Sequence, residues 1–198
     1  MIFQYFLILP LMFANPDMLV DWVGSGNAAV HVSVRPNVEV LETCLQAGME
    51  VRFRFEAQLC RRRSMWLPDC GERLQVIHGI QYDPISETYQ LSSDRIGDRK
   101  PEETLTLESR EESLAFASRL QNLSLKELGL GSSFRDSERA FLSLKATSDC
   151  RGEYSEILSR IGYYLSLGLV KINAFDSGWV AYELKSTGNS SLTAGKTK

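Results

Sequence analysis

Histidine is nearly absent: 198 residues hold only His31 and His78. Each lies in an alternating stretch among apolar neighbours, where a hydrogen-bonded structural histidine is the ordinary expectation, so imidazole chemistry has little to draw on. There is no GxSxG elbow, no HExxH pair, no phosphate-binding loop and no GxGxxG fingerprint, which removes the recognisable hydrolase, metalloprotease and nucleotide-binding signatures. The four cysteines include no CxxC pair, so a zinc site is not expected, and nothing calls for a cofactor. An excess of cations is missing as well. A net charge of -3 and a pI near 5.5 argue against nucleic acid as a partner, because binding by phosphate neutralisation favours a basic domain. Beyond the first 14 residues no apolar run reaches the roughly 20 residues that span a bilayer. No linker is visible, and a single domain of about 150 residues is expected.

What is present is an unbroken alternation. In Met49 to Cys60 the residues Met49, Val51, Phe53, Phe55, Ala57 and Leu59 alternate with Glu50, Arg52, Arg54, Glu56 and Gln58, the period of a strand with one buried face. From Met49 to Leu59 such a strand spans roughly 36 Å, so other strands must pair along it. A half-polar strand belongs in an antiparallel sheet with one wet face, since parallel strands are apolar on both sides.

The ends differ from the middle. Residues 1–14 (MIFQYFLILPLMFA) are uncharged and almost wholly apolar, too short for a membrane helix but matching the apolar region of a secretory signal, with Ala14 as the last residue before cleavage. An uncleaved N-terminal anchor and a buried strand are the alternatives, because no Lys or Arg stands near Met1. The expected location is exported or periplasmic. Lys185 to Lys198 is small and polar and is expected to be a disordered tail. Residues 29–184 remain for one globular α+β domain.

Along that domain the patterns predict a strand over Ala29–Val34 and a short helix over Val38–Ala47, N-capped by Asn37 and stopped by Gly48. After the long strand, Leu74 to Leu91 reads as a hairpin turning at Asp83-Pro84, and Ser92–Thr106 reads as a loop. Ser109 and Glu112 fit a capping box for a helix running to about Asn122. A strand over Ala140–Ala146, a helix from Tyr154 to Gly168 and a closing strand over Trp179–Leu184 complete the order. The expected fold is a twisted antiparallel sheet of about six strands, with sandwich-like closure as one form, and two or three flanking helices.

Three places could carry chemistry. Cys60 and Cys70 flank the loop between two paired strands, so a disulfide there fits an exported chain. Direct opposition of the two would set the apolar face of the long strand against Arg73, Gln75 and Gly79, so the bridge requires a bulge, expected within RRRSMWLPD. Arg61, Arg62, Arg63 and Trp66 place three cations beside an aromatic, a combination suited to an acidic group or to an interface anchor; pairing with carboxylates of neighbouring strands is the plainer reading. His78 with Asp83 would serve a hydrolase if they converged in a cleft. Glu102-Glu103 and Glu111-Glu112 read as a charged loop and a helix start.

The segment LQAGMEVRFRFE (Leu45–Glu56), the RRR run reaching Trp66, the hairpin IQYDPISETY (Ile80–Tyr89), the helix start near Ser109 and the late Trp179 together resemble an exported proteobacterial family, domain of unknown function 4390. The resemblance covers about Val30 to Leu184 and implies an envelope protein with no assigned activity and no catalytic residue to carry over. The leading expectation is a non-catalytic binding or regulatory module contacting an envelope protein, for instance a membrane sensor. A carrier of an amphipathic small molecule and the hydrolase are the alternatives, with oligomeric state left open.

Overall fold

The computed structural model describes residues 18–23, 29–62, 67–96, 103–129, 140–151, 173–187 and 191–196. In chain order these form β1 (Met18–Val23), β2 (Ala29–Val34), α1 (Val38–Gln46), β3 (Glu50–Arg61), β4 (Asp69–Cys70), β5 (Leu74–Asp83), β6 (Thr88–Ile96) and β7 (Glu103–Leu107). They continue as α2 (Arg110–Ala117), β8 (Arg119–Ser124), β9 (Ala140–Arg151), β10 (Asn173–Asp176), β11 (Val180–Thr187) and β12 (Ser191–Lys196). The α+β class and the antiparallel pairing are as expected, but the strands exceed six because the chain folds into two sheets. Three strands run β1-β2-β8, and nine are ordered β12-β11-β9-β3-β5-β6-β7, with β10 beside β9 and β4 beside β3.

The alternating stretch is the centre of the larger sheet. β9 pairs with all of β3 from Glu50 to Arg61, while β5 pairs with Val51–Ala57 on the other side. Val51, Phe53, Phe55, Ala57 and Leu59 face one core, shared with Val30, Val32 and Val34 of the small sheet and with Leu41 and Leu45 of α1. The two sheets and α1 therefore bury a common interior, as layered domains do.

α1 begins where Asn37 accepts from the Val40 amide and ends before Gly48 at φ +71°, a conformation glycine adopts without strain. Leu41, Cys44 and Leu45 are its buried residues, and Val38 at its first position is exposed. The Ser109 hydroxyl accepts from the Glu112 amide at 3.3 Å, as the capping box requires. α2 nevertheless stops at Ala117 instead of Asn122. Leu120 and Leu123 have helical spacing, yet they pair with Val32 and Val30 of β2, because Gln121 and Asn122 together face His31 in a bulge. The extra residue brings leucines three apart onto one face, and Asn122 takes φ +56°.

Other expectations change at the edges. β1, in a stretch for which no element is expected, pairs with β2, and most of β7 pairs with β6 inside the stretch read as a loop. The expected tail supplies the end of β11 and β12, paired from Tyr182↔Lys196 to Thr187↔Ser191; Lys185–Lys198 is thus not a wholly disordered tail, since backbone pairing needs no apolar side chain. The helix expected over 154–168 and the segment 1–14 lie outside the described residues. Among the described residues no helix is long and apolar enough to cross a membrane.

Candidate functional site

All four cysteines are bonded, Cys60 to Cys70 and Cys44 to Cys150. The first bridge joins β3 to β4, where Cys60↔Cys70 and Arg61↔Asp69 are partners. Register then changes: Ala57 pairs with Leu74, so Gln58 and Leu59 of β3 face Gly71, Glu72 and Arg73. The bulge that parity demands exists, but it lies after the bridge and not within RRRSMWLPD. The Gly71 amide donates to the Leu59 carbonyl at 2.8 Å and anchors it. The second bridge ties α1 to the end of β9 beside Val51; no spacing in the sequence singles out that pair, since it depends on β9 returning along β3.

The bulge reverses which side of the sheet the residues after Cys70 face, and this builds a cluster on the outer side. Arg62 makes an ion pair with Glu183 at 3.3 Å, with side chains 45% and 37% exposed, and its guanidinium stands 5.8 Å from the Phe141 ring centre. Arg73, sent outward by the bulge, donates to Glu56 at 3.0 Å and lies 5.0 Å from the ring centre of Trp179. Two arginine–aromatic pairs thus flank the Cys60–Cys70 bridge. Their anchor residues on β3, Glu56 and the Cys60 partner of Phe141, are four positions apart, about 13 Å. Leu67, in the segment between the bridged cysteines, is 88% exposed.

Of the residues expected here, Arg61 closes β3 opposite Asp69 and Ala140 and is engaged, as Asp69 is. Arg62 reaches the cluster, whereas Arg63 and Trp66 lie outside the described residues. Arg73, Phe141, Trp179 and Glu183 carry no signal of a site in the sequence, because the bulge and the pairing of β9 with β11 bring them together. In the linear pattern Phe141 is only one residue of an alternating strand.

The hydrolase pair does not form. His78 faces the core at 6% exposure, its ring 5.5 Å from Phe55 and 5.9 Å from Phe116, with Nδ1 3.1 Å from the Ala117 carbonyl, which accepts. Burial lowers its pKa and holds the ring neutral, partly offset by that hydrogen bond. Asp83 is five positions along β5, on the opposite face. It accepts from the Ile85 amide and the Ser86 hydroxyl, both at 2.9 Å, and these bonds hold its carboxyl below the usual range. Its work is to shape the Pro84–Glu87 turn. Among the described residues no group of three metal-ligating side chains converges.

Neither a search of curated proteins nor one of solved structures finds a match. A family model does match, over residues 25–151, from before β2 to the last residue of β9. The matched stretch holds β3, β5, β9 and both bridges, which is the scaffold of the cluster, and by it the chain belongs to the family Domain of unknown function (DUF4390).

Proposed function

We propose that this domain is a non-catalytic binding module of the bacterial envelope that contacts a protein partner through the outer side of the sheet at the Cys60–Cys70 end. The observation that carries the reading is the pair of arginine–aromatic contacts, Arg62 with Phe141 and Arg73 with Trp179, beside the exposed Leu67. Arginine and tryptophan are the side chains most often found at interface hot spots, and clamping the loop base by a bridge lowers the ordering cost of binding. Two bonded cysteine pairs fit an oxidising compartment. The test is crosslinked capture from the envelope fraction with the wild type and with Arg62→Ala/Arg73→Ala. Exposed ion pairs contribute only about 0–1 kcal/mol, so the variant folds. Loss of the wild-type partner is expected; retention of every partner would overturn the site.

Carriage of an amphipathic small molecule draws on a different feature. The Ser148 hydroxyl is fully buried on the core side of β9 and has no hydrogen-bond partner among the described residues, a condition that a bound polar group relieves. Native mass spectrometry of protein from its own envelope, showing a bound mass that Ser148→Ala releases, is the expected sign; a bare chain mass counts against it.

A further inference from the structure

The outer face of β3 carries Glu50, Arg52, Arg54 and Glu56 in a row. Both carboxylates are taken: Arg52 Nε donates to Glu50 at 2.8 Å, and Glu56 accepts from Arg73 at 3.0 Å. Gly79 helps commit Glu50, for a Cβ there would stand 2.6 Å from its Oε1, so the carboxylate occupies the space that the missing side chain leaves. Arg54, between the two pairs, is the cation left over. Among the described residues no carboxylate lies within ion-pair distance of it, and its Nε–H is shielded from water without an acceptor. Directly across stand Thr147 on β9 and Ile77 on β5, neither of them charged.

A half-buried guanidinium without a counter-ion is unfavourable for the isolated fold. Its planar array of donors matches a carboxylate, which it can take through two parallel hydrogen bonds. We infer that Arg54 is a docking point for an acidic side chain of a protein partner laid across the outer face of β3, with Thr147 and Ile77 flanking the contact. Charge complementarity carries this choice: among the described residues Glu50 and Glu56 are each held by another arginine, and the carboxylates one strand further out on this face, Asp94 beyond Ile77 and Asp176 beyond Thr147, make no ion pair with Arg54. The site lies on the same face as the arginine–aromatic cluster but does not depend on it, and a free peptide tests it without any natural partner.

The experiment follows the side-chain Nε–H resonances of the ¹⁵N-labelled, fully oxidised protein during titration with a tetraglutamate peptide, with tetraglutamine as control. Shielding from water slows exchange of the Arg54 proton, and the peak missing from Arg54→Gln assigns it. The expected result is a saturating shift of the Arg54 peak with tetraglutamate alone, lost in Arg54→Gln, whose melting temperature equals or exceeds the wild type's. An unmoved Arg54 peak, an equal response to tetraglutamine, or saturation that persists in Arg54→Gln overturns the inference. A lowered melting temperature in Arg54→Gln overturns it too, because the guanidinium would then be serving the fold. Failure of the cluster reading appears differently, as partner capture indifferent to Arg62 and Arg73.

Discussion

The two faces of the nine-stranded sheet follow different rules although they share every strand. On the inner face Phe53 and Phe55 are almost fully buried, and even its histidine is held neutral against a carbonyl. On the outer face the equivalent positions of β3 are charged and half-buried, and all but Arg54 pair off. Each face also has one disulfide. Cys44–Cys150 lies on the inner side and joins α1 to β9, whereas Cys60 points outward to Cys70. The difference teaches that burial on the inner face holds the sheet in place, while the charged positions of the outer face cost the fold little when they are replaced.

The largest effect that can break this contrast is at the bridges. In the chain-entropy account, closing 106 residues stabilises by about 4.7 kcal/mol and closing 10 by about 2.7 kcal/mol. Urea unfolding of Cys44→Ala/Cys150→Ala should therefore show the greater loss and Cys60→Ala/Cys70→Ala the lesser; equal losses would mean that the inner bridge closes no larger ensemble. Next come neighbours on one strand. Phe53→Ala should cost about 3–5 kcal/mol through lost burial and a residual cavity, and Arg52→Ala no more than about 1 kcal/mol, both read from denaturation midpoints.

The smallest effect sharpens the contrast by pH. Because the pKa of His78 is lowered in the folded state, the unfolded chain binds the proton more readily. The contribution of the neutral ring is present above the unfolded value, about 6.5, and is lost as pH falls below it, at no more than about 1.4 kcal/mol per pH unit. Unfolding measured at pH 7.5 and 5.5 should show this loss in the wild type and a smaller one in His78→Gln. An unchanged slope would place the ring in water.

Much of the inner face is legible in the sequence because alternation with period two needs only local residues. Met49–Leu59, Leu74–Tyr82 and Ala140–Ala146 announce themselves in that way, and Asn37, Gly48 and Ser109 mark helix ends by their own chemistry. Bulges hide from such reading. Leu120 and Leu123 have the spacing of a helix and the pairing of a strand, and the shift at Gly71–Arg73 decides that Arg73 meets Trp179. β7 and β12 are short and mix Leu105, Leu107 and Leu192 with small or polar residues, and their pairing comes from the backbone of their neighbours. The Arg61–Arg62 end is visible as a charge run, but the aromatic partner of Arg62 arrives from β9 and that of Arg73 from the residue before β11, each more than 75 positions later in the chain.

The bridges are nested, Cys60–Cys70 lying wholly inside the loop that Cys44–Cys150 closes. An oxidant meeting the chain from its N-terminus encounters Cys44 and Cys60 first, and joining those two would lock out both native partners. β3 cannot gain its long neighbour until β9 has been made, roughly ninety residues later, and such distant pairing is slow. Correct oxidation thus depends on waiting, or on thiol exchange that undoes the early mistake. The nested connectivity therefore makes the pairing of β9 with β3, and not the nearness of cysteines in sequence, the step that selects the native bridges.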